Sequence, residues 1–314
     1  MVYGGSGING LRRPVVLGVM LGMLEVLAPA AGAGPGVPCR VTNLMTGSVF
    51  TGSGANLQSA INAASSGARL RIRGVCVGNY TIAKSLRLVG VATAAYPVPT
   101  LDGNATDAVL RVSAGSLFLR DLTITGGAAR WLGYNGSDRG GGINNLGGHL
   151  TLTGTTSVTA NTSPGLGGGI YNAAGGVMRL MGTASVSGNT APNGSGGGIE
   201  NSGALAMRGS SSVTGNTAGH ALGGGIFNLG TLSLRGSSSV SGNTAPKYGG
   251  GIFNVGILTL GRASSVTGNT ATEGGGILND KANGGVFNVC SSWTGAMSPN
   301  APDDPPDDPN ILAC

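Results

Sequence analysis

Charge and aromatic rings are scarce in this sequence. Charged residues make up 10% of the 314 and Phe, Trp and Tyr together 4%, so too few large side chains are present to fill an ordinary globular core. Between Gly140 and Gly276 the acids reduce to Glu200 and Glu273, on different repeats. Glycoside hydrolysis needs two carboxylates within ~10 Å of one another, and calcium-dependent lyase chemistry needs several around one cation. Neither cluster is visible, so no catalytic residue is assigned. Two histidines, His149 and His220, fall short of a histidine-based zinc site, and no nucleophile elbow accompanies the many serines. No metal and no cofactor are expected. Asp102 and Asp107 in LDGNATD are explained as turn residues. The absence of a G-X-Y period excludes collagen, and regularly recurring Val, Leu and Ile at low net charge exclude disorder.

Long apolar runs are also missing beyond the N-terminus. Residues 1–33 hold Arg12 and Arg13, the run PVVLGVMLGML and then Ala28-Pro29-Ala30 and Ala31-Gly32-Ala33, the layout of a signal peptide. The run is too short for a span and Glu25 interrupts it. A secreted, extracellular chain without a membrane span is expected, by the general secretory or the twin-arginine route. Its four cysteines permit three connectivities. Local pairing of Cys39 with Cys76 and of Cys290 with Cys314 would staple each end.

What the sequence has in plenty is glycine, 62 residues, much of it in identical triplets. GGGINN, GGGIYN, GGGIEN, GGGIFN (twice) and GGGILN place Ile143, Ile170, Ile199, Ile226, Ile252 and Ile277 at intervals of 27, 29, 27, 26 and 25 residues. LTLTG, MRLMG, LAMRG, LSLRG and LTLGR bring Leu152, Leu180, Met207, Leu234 and Leu260 into a second file. SVTAN, SVSGN and SVTGN bring Val158, Val186, Val213, Val240 and Val266 into a third. Each segment alternates with period two and is bounded by Gly, Ser and Asn turns, which predicts one strand per face. A repeat of this length predicts stacked coils: an all-β, single-stranded parallel β-helix of three sheets around one apolar channel. The triplets supply positive φ and small volume at a sharp corner. Asn145, Asn172, Asn201, Asn228, Asn254 and Asn279 form one ladder, and Asn161, Asn189, Asn216, Asn243 and Asn269 another, each amide donating to the next.

These signals resemble the right-handed parallel β-helix proteins of the pectin-lyase-like fold. The pairing of GGGI with VTGNTA is similar to the GGA(I/L) and FxxN repeats of polymorphic outer-membrane proteins, with Val in place of Phe. The resemblance covers roughly residues 39–295 and implies the right-handed fold. It carries over no catalytic residue: the NTD, DD and GHG motifs of that fold's pectin-degrading enzymes are missing, and Arg71-Ile72-Arg73 lies before any plausible cleft.

The organisation expected is a signal peptide over 1–33, a cap region over 34–67, the β-helix over 68–295 with clear repeats at 140–290, and an extended Pro- and Asp-rich tail over 296–314. ANLQSAINAASSG, residues 55–67, predicts a short helix with Leu57, Ile61 and Ala64 on the face that plugs the channel.

Binding residues are sought on the surface. Between Ile and Asn of each first strand, Asn144, Tyr171, Glu200, Phe227, Phe253 and Leu278 point outward by alternation. The loops before each triplet vary most, and hold Trp131, Tyr134, Asp138, Arg139, His220, Lys247, Tyr248 and Glu273. Arg208 and Arg235, with Arg179 nearby, make a basic stripe. Trp131, Tyr134, Tyr171, Phe227, Tyr248, Phe253, Arg208 and Arg235 are thus the candidate ligand residues. Net charge is +6, and Asp303, Asp304, Asp307 and Asp308 sit in the tail, so the helix body favours an acidic polysaccharide or cell-surface component. Nucleic acid is not expected, and oligomeric state is not legible. The function expected is a non-catalytic, adhesin-like β-helix that binds surfaces or carbohydrate. With no β-barrel domain before Cys314, it would not anchor itself. Two alternatives stand: a polysaccharide lyase or glycoside hydrolase with an unfamiliar site near Trp131, Tyr134, Asp138 and Arg139, and an inert extracellular scaffold.

Overall fold

Three-residue strands cannot bury a face alone, and here they are stacked coil upon coil. The computed structural model describes residues 38–52, 55–94, 97–130, 139–220, 222–297, 300 and 310–312. The expected signal peptide and most of the expected tail lie outside them. The chain divides into Met1–Pro35 and Gly36–Cys314, and every described residue belongs to the second unit.

The architecture is an all-β parallel solenoid built from a 12-stranded sheet and two 8-stranded sheets. Register is in phase between coils: Ile226 pairs with Ile252, Leu232 with Leu258, and Val240 with Val266. All six are fully buried, so each coil contributes one aliphatic file per sheet to a single continuous core. Removing each such side chain from water is worth about 1.5–3 kcal/mol. That gain arises only when a neighbouring coil covers it.

The coils are not all alike. Cys39–Asn43 pairs antiparallel with both Val49–Gly52 and Ala68–Arg73, so one end of the long sheet departs from the expected uniform direction. A hairpin there seals the sheet edge. The helix is Ala55–Ala63, shorter than the 55–67 expected. It stops where Ser65, Ser66 and Gly67 favour a turn and Gly67 takes a φ of 85°. Leu57, Ile61 and Ala64 are buried beneath it. Cys39 and Cys76 form a disulfide across 37 residues. Cys290 is disulfide-bonded too, and its expected partner, Cys314, lies outside the described residues. Asn310–Leu312 pairs parallel with Val286–Cys290, so this piece of the tail extends the long sheet.

A fourth ladder was not foreseen. Thr190–Ala191 pairs with Thr217–Ala218, and bridges link Thr162 to Thr190, Thr217 to Thr244, and Thr244 to Thr270. It carries the chain from each valine strand to the next glycine triplet, with Ala218, Ala245 and Ala271 packed together.

Candidate functional site

The glycine triplets set the site's geometry. Gly223 has a φ of 62°, which reverses the chain at little steric cost only for glycine. At Gly224 a Cβ would meet the backbone oxygen of Gly250 at 2.4 Å and the carbonyl carbon of Thr244 at 2.4 Å. At Gly225 it would meet the Asn243 side-chain amide at 2.9 Å. Turn geometry, coil-to-coil spacing and the second asparagine ladder thus demand one glycine each. The two ladders run unbroken inside: Nδ2 of Asn145, Asn172, Asn201, Asn228 and Asn254 donates to Oδ1 of the next at 2.6–2.7 Å. The Asn161, Asn189, Asn216, Asn243 and Asn269 amides do so at 2.9–3.1 Å. The last donates to Asn300, a member the repeat pattern does not reveal because it sits in SPNAP.

The residue before each triplet is stacked as well. Backbone amides of Gly196, Gly223 and Gly249 donate to the carbonyls of Leu222, Tyr248 and Glu273 at 3.0 Å. This file folds back beside the outward column, in which Tyr171, Glu200, Phe227, Phe253 and Leu278 occupy successive coils. Two files side by side make a trough along the solenoid axis. The expectation of an open aromatic column is corrected accordingly. The side chains point away from the core, yet Tyr171 and Phe253 are each only 6% exposed and Asn144 and Glu200 0%. Phe227 and Leu278 are half-buried.

The two halves of the trough differ chemically. Towards the C-terminal end lies a groove of about 790 Å³ lined by Leu222, Phe227, Tyr248, Phe253 and Leu278, with Glu273 and Asp280 among its polar lining. Phe227 and Phe253 have ring centroids 5.8 Å apart, and Tyr248 and Phe253 6.3 Å, all tilted. Leu222, Asp280 and Asn283 were not singled out in the sequence. Leu222 was findable by its offset from the triplet, whereas Asp280 caps and Asn283 ends a 3₁₀ turn, Lys281–Asn283, that breaks the repeat.

Towards the N-terminal end the trough is closed and ionisable. Arg139 lies 4.8 Å from the Tyr171 ring centroid and donates to its hydroxyl at 2.7 Å. Glu200 Oε1 accepts from Ser202 at 2.7 Å, while its Oε2 is buried with no hydrogen-bond partner. Burial pushes the Glu200 carboxyl up to about 7, against the Ser202 hydrogen bond and the Arg139 charge. The Tyr171 phenol is raised by burial and by Glu200, against Arg139. Both side-chain polar atoms of Asn144 are also unpartnered.

The remaining candidates lie elsewhere. Arg179, Arg208 and Arg235 are exposed on the outward side of the 12-stranded sheet, a different face from the trough. Trp131, Tyr134 and Asp138 lie outside the described residues. Asp102 accepts from the Asn104 amide at 2.8 Å and Asp107 from the Ala108 amide at 2.7 Å, so both carboxylates organise turns. Compared with family models, curated proteins and solved structures, the chain matches none of them.

Proposed function

We propose that this protein is a secreted, non-catalytic β-solenoid that binds a polysaccharide along the trough. The reading is carried by the groove in which Phe227, Tyr248 and Phe253 stand together above a rigid frame. Aromatic faces complement the C–H faces of sugar rings, and polar side chains at the margin satisfy their hydroxyls. The export-like N-terminus, the disulfide and the repeat's likeness to pectin-lyase-like solenoids and polymorphic outer-membrane proteins support an adhesin-like role outside the cell.

Retention of the protein on immobilised polygalacturonate, alginate and glycosaminoglycan tests this, with ultraviolet absorbance monitored for unsaturated product. Combined Phe227→Ala, Tyr248→Ala and Phe253→Ala should weaken retention roughly tenfold or more, the scale of aromatic hot spots. Unchanged retention by the folded variant removes the trough from the binding surface.

A lyase or hydrolase reading draws on one separate observation, Glu200 with its carboxyl near neutrality beside the Arg139–Tyr171 pair. It requires product formation that Glu200→Gln abolishes. The complete burial of Glu200 favours the binding reading, since a general acid must reach its substrate.

A further inference from the structure

We propose that the outward side of the 12-stranded sheet docks this protein peripherally on an anionic lipid surface. None of the twelve strands contains an acidic residue. On the three parallel or antiparallel neighbours Cys39–Asn43, Ala68–Arg73 and Leu86–Gly90, the residues Arg40, Arg69, Arg71, Arg73 and Arg87 all alternate outward from buried neighbours. Arg40 stands opposite Arg73, and Arg69 opposite Arg87. Like charges facing across a ladder destabilise a sheet, and the two ion pairs among the described residues, Arg111–Asp107 and Arg120–Asp121, involve none of these five. The Nε atoms of Arg71 and Arg73 are buried with no hydrogen-bond partner. A field of guanidinium groups therefore stands on one side of the sheet, without an ion-pair partner among the described residues. The Arg179, Arg208 and Arg235 stripe continues it along the solenoid.

Aliphatic side chains share this side and choose the partner. Leu44, which follows Asn43 in the same alternation as Arg40 and Thr42, is 42% exposed, and Val49, opposite Thr42, is 47% exposed. Met45 at the hairpin tip is 65% exposed, and Ile257 and Val286 stand out at the beginnings of later strands. A hydrophilic polyanion gains nothing from these groups. Lipid gains from both, because aliphatic side chains enter the headgroup–acyl boundary while arginines remain among the phosphates. Among the described residues, the aromatic ring on the outward side of this sheet, Phe118, lies under the Arg87 guanidinium at 5.3 Å and is not an open platform for stacking nucleobases. The docking proposed is peripheral; among the described residues no helix is long and apolar enough to cross a membrane.

The test is co-sedimentation of the full chain with vesicles of phosphatidylcholine alone and of phosphatidylcholine containing phosphatidylglycerol. The readout is the ratio of the two partition coefficients; Arg12 and Arg13 beside the N-terminal apolar run also favour the anionic vesicles, so each variant is compared with the unaltered full chain, in which that contribution is the same. That ratio should be large and should collapse in high salt. At about fivefold per arginine near an anionic surface, Arg69→Gln, Arg71→Gln and Arg73→Gln together should lower it roughly a hundredfold. Leu44→Ser with Met45→Ser should leave the ratio's salt dependence but lower both coefficients. The trough variant Phe227→Ala, Tyr248→Ala, Phe253→Ala should partition as the unaltered chain does, so this surface and the polysaccharide reading stand or fall separately. A ratio near one, a folded arginine variant with an unchanged ratio, or salt-sensitive binding confined to heparin or DNA overturns the proposal.

Discussion

Glu200 is the residue on which the outward column turns from binding surface to interior. Its carboxyl sits at 0% exposure with one oxygen unpartnered, so the charged form is penalised and the group titrates near 7 instead of 4.5. An acid with a raised folded value stabilises most below its unfolded value, and that contribution fades as pH rises from about 4.5 through about 7. The change corresponds to roughly 3 kcal/mol at most. Urea midpoints should therefore fall between pH 5 and pH 8, and Glu200→Gln should flatten the decline and be the more stable form at pH 8. A second residue-scale case is Ala160, which holds a φ of 53° where later repeats place Gly188, Gly215, Gly242 and Gly268. Left-handed backbone costs a residue with a Cβ about 1–2 kcal/mol, part of which glycine's extra freedom in the unfolded chain offsets. Ala160→Gly should raise stability by about 0.5–1 kcal/mol in the same denaturation experiment, and Gly224→Ala should lower it by several-fold more because the added Cβ meets backbone of the next coil.

At the scale of elements, a ladder is worth more than its members taken singly. Asn216 accepts from the Asn189 amide nitrogen and side chain, and donates to Val186 and Asn243. Asn216→Ala leaves buried donors on Asn189 without acceptors, at about 1–3 kcal/mol each, and interrupts the file between two coils. Hydrogen exchange should speed up at Asn189 and Asn216 before the flanking valine strands respond. If exchange rises uniformly, the ladder is not what couples neighbouring coils. The triplets and ladders were legible in the sequence because each is a fixed offset within one repeat. The trough was only half legible: alternation gave the direction of Tyr171 and Phe253, but Tyr171 packs against Arg139, which precedes the previous coil's glycine corner, and Phe253 against Tyr248, which precedes its own. No period-two argument contains those contacts.

For the whole molecule, contacts between successive coils make stability one-dimensional, so the ends decide how unfolding begins. One end is held by the helix Ala55–Ala63, the antiparallel hairpin and the Cys39–Cys76 disulfide. Cys39→Ser with Cys76→Ser should cost about 2–4 kcal/mol. It should raise hydrogen exchange first in strands 39–43 and 75–77 and leave the central coils protected. The sequence by itself determined the solenoid, its three aliphatic files and its two asparagine ladders, because coil-on-coil stacking converts a linear period into vertical rows with no further information. Only the tertiary structure decided which surfaces are open. It closed the outward column around Glu200, left a groove at Phe227 and Phe253, and put the arginines of separate strands on one face. The physical reason is that exposure depends on where loops of irregular length fold back, and that is fixed by contacts between segments the repeat does not relate.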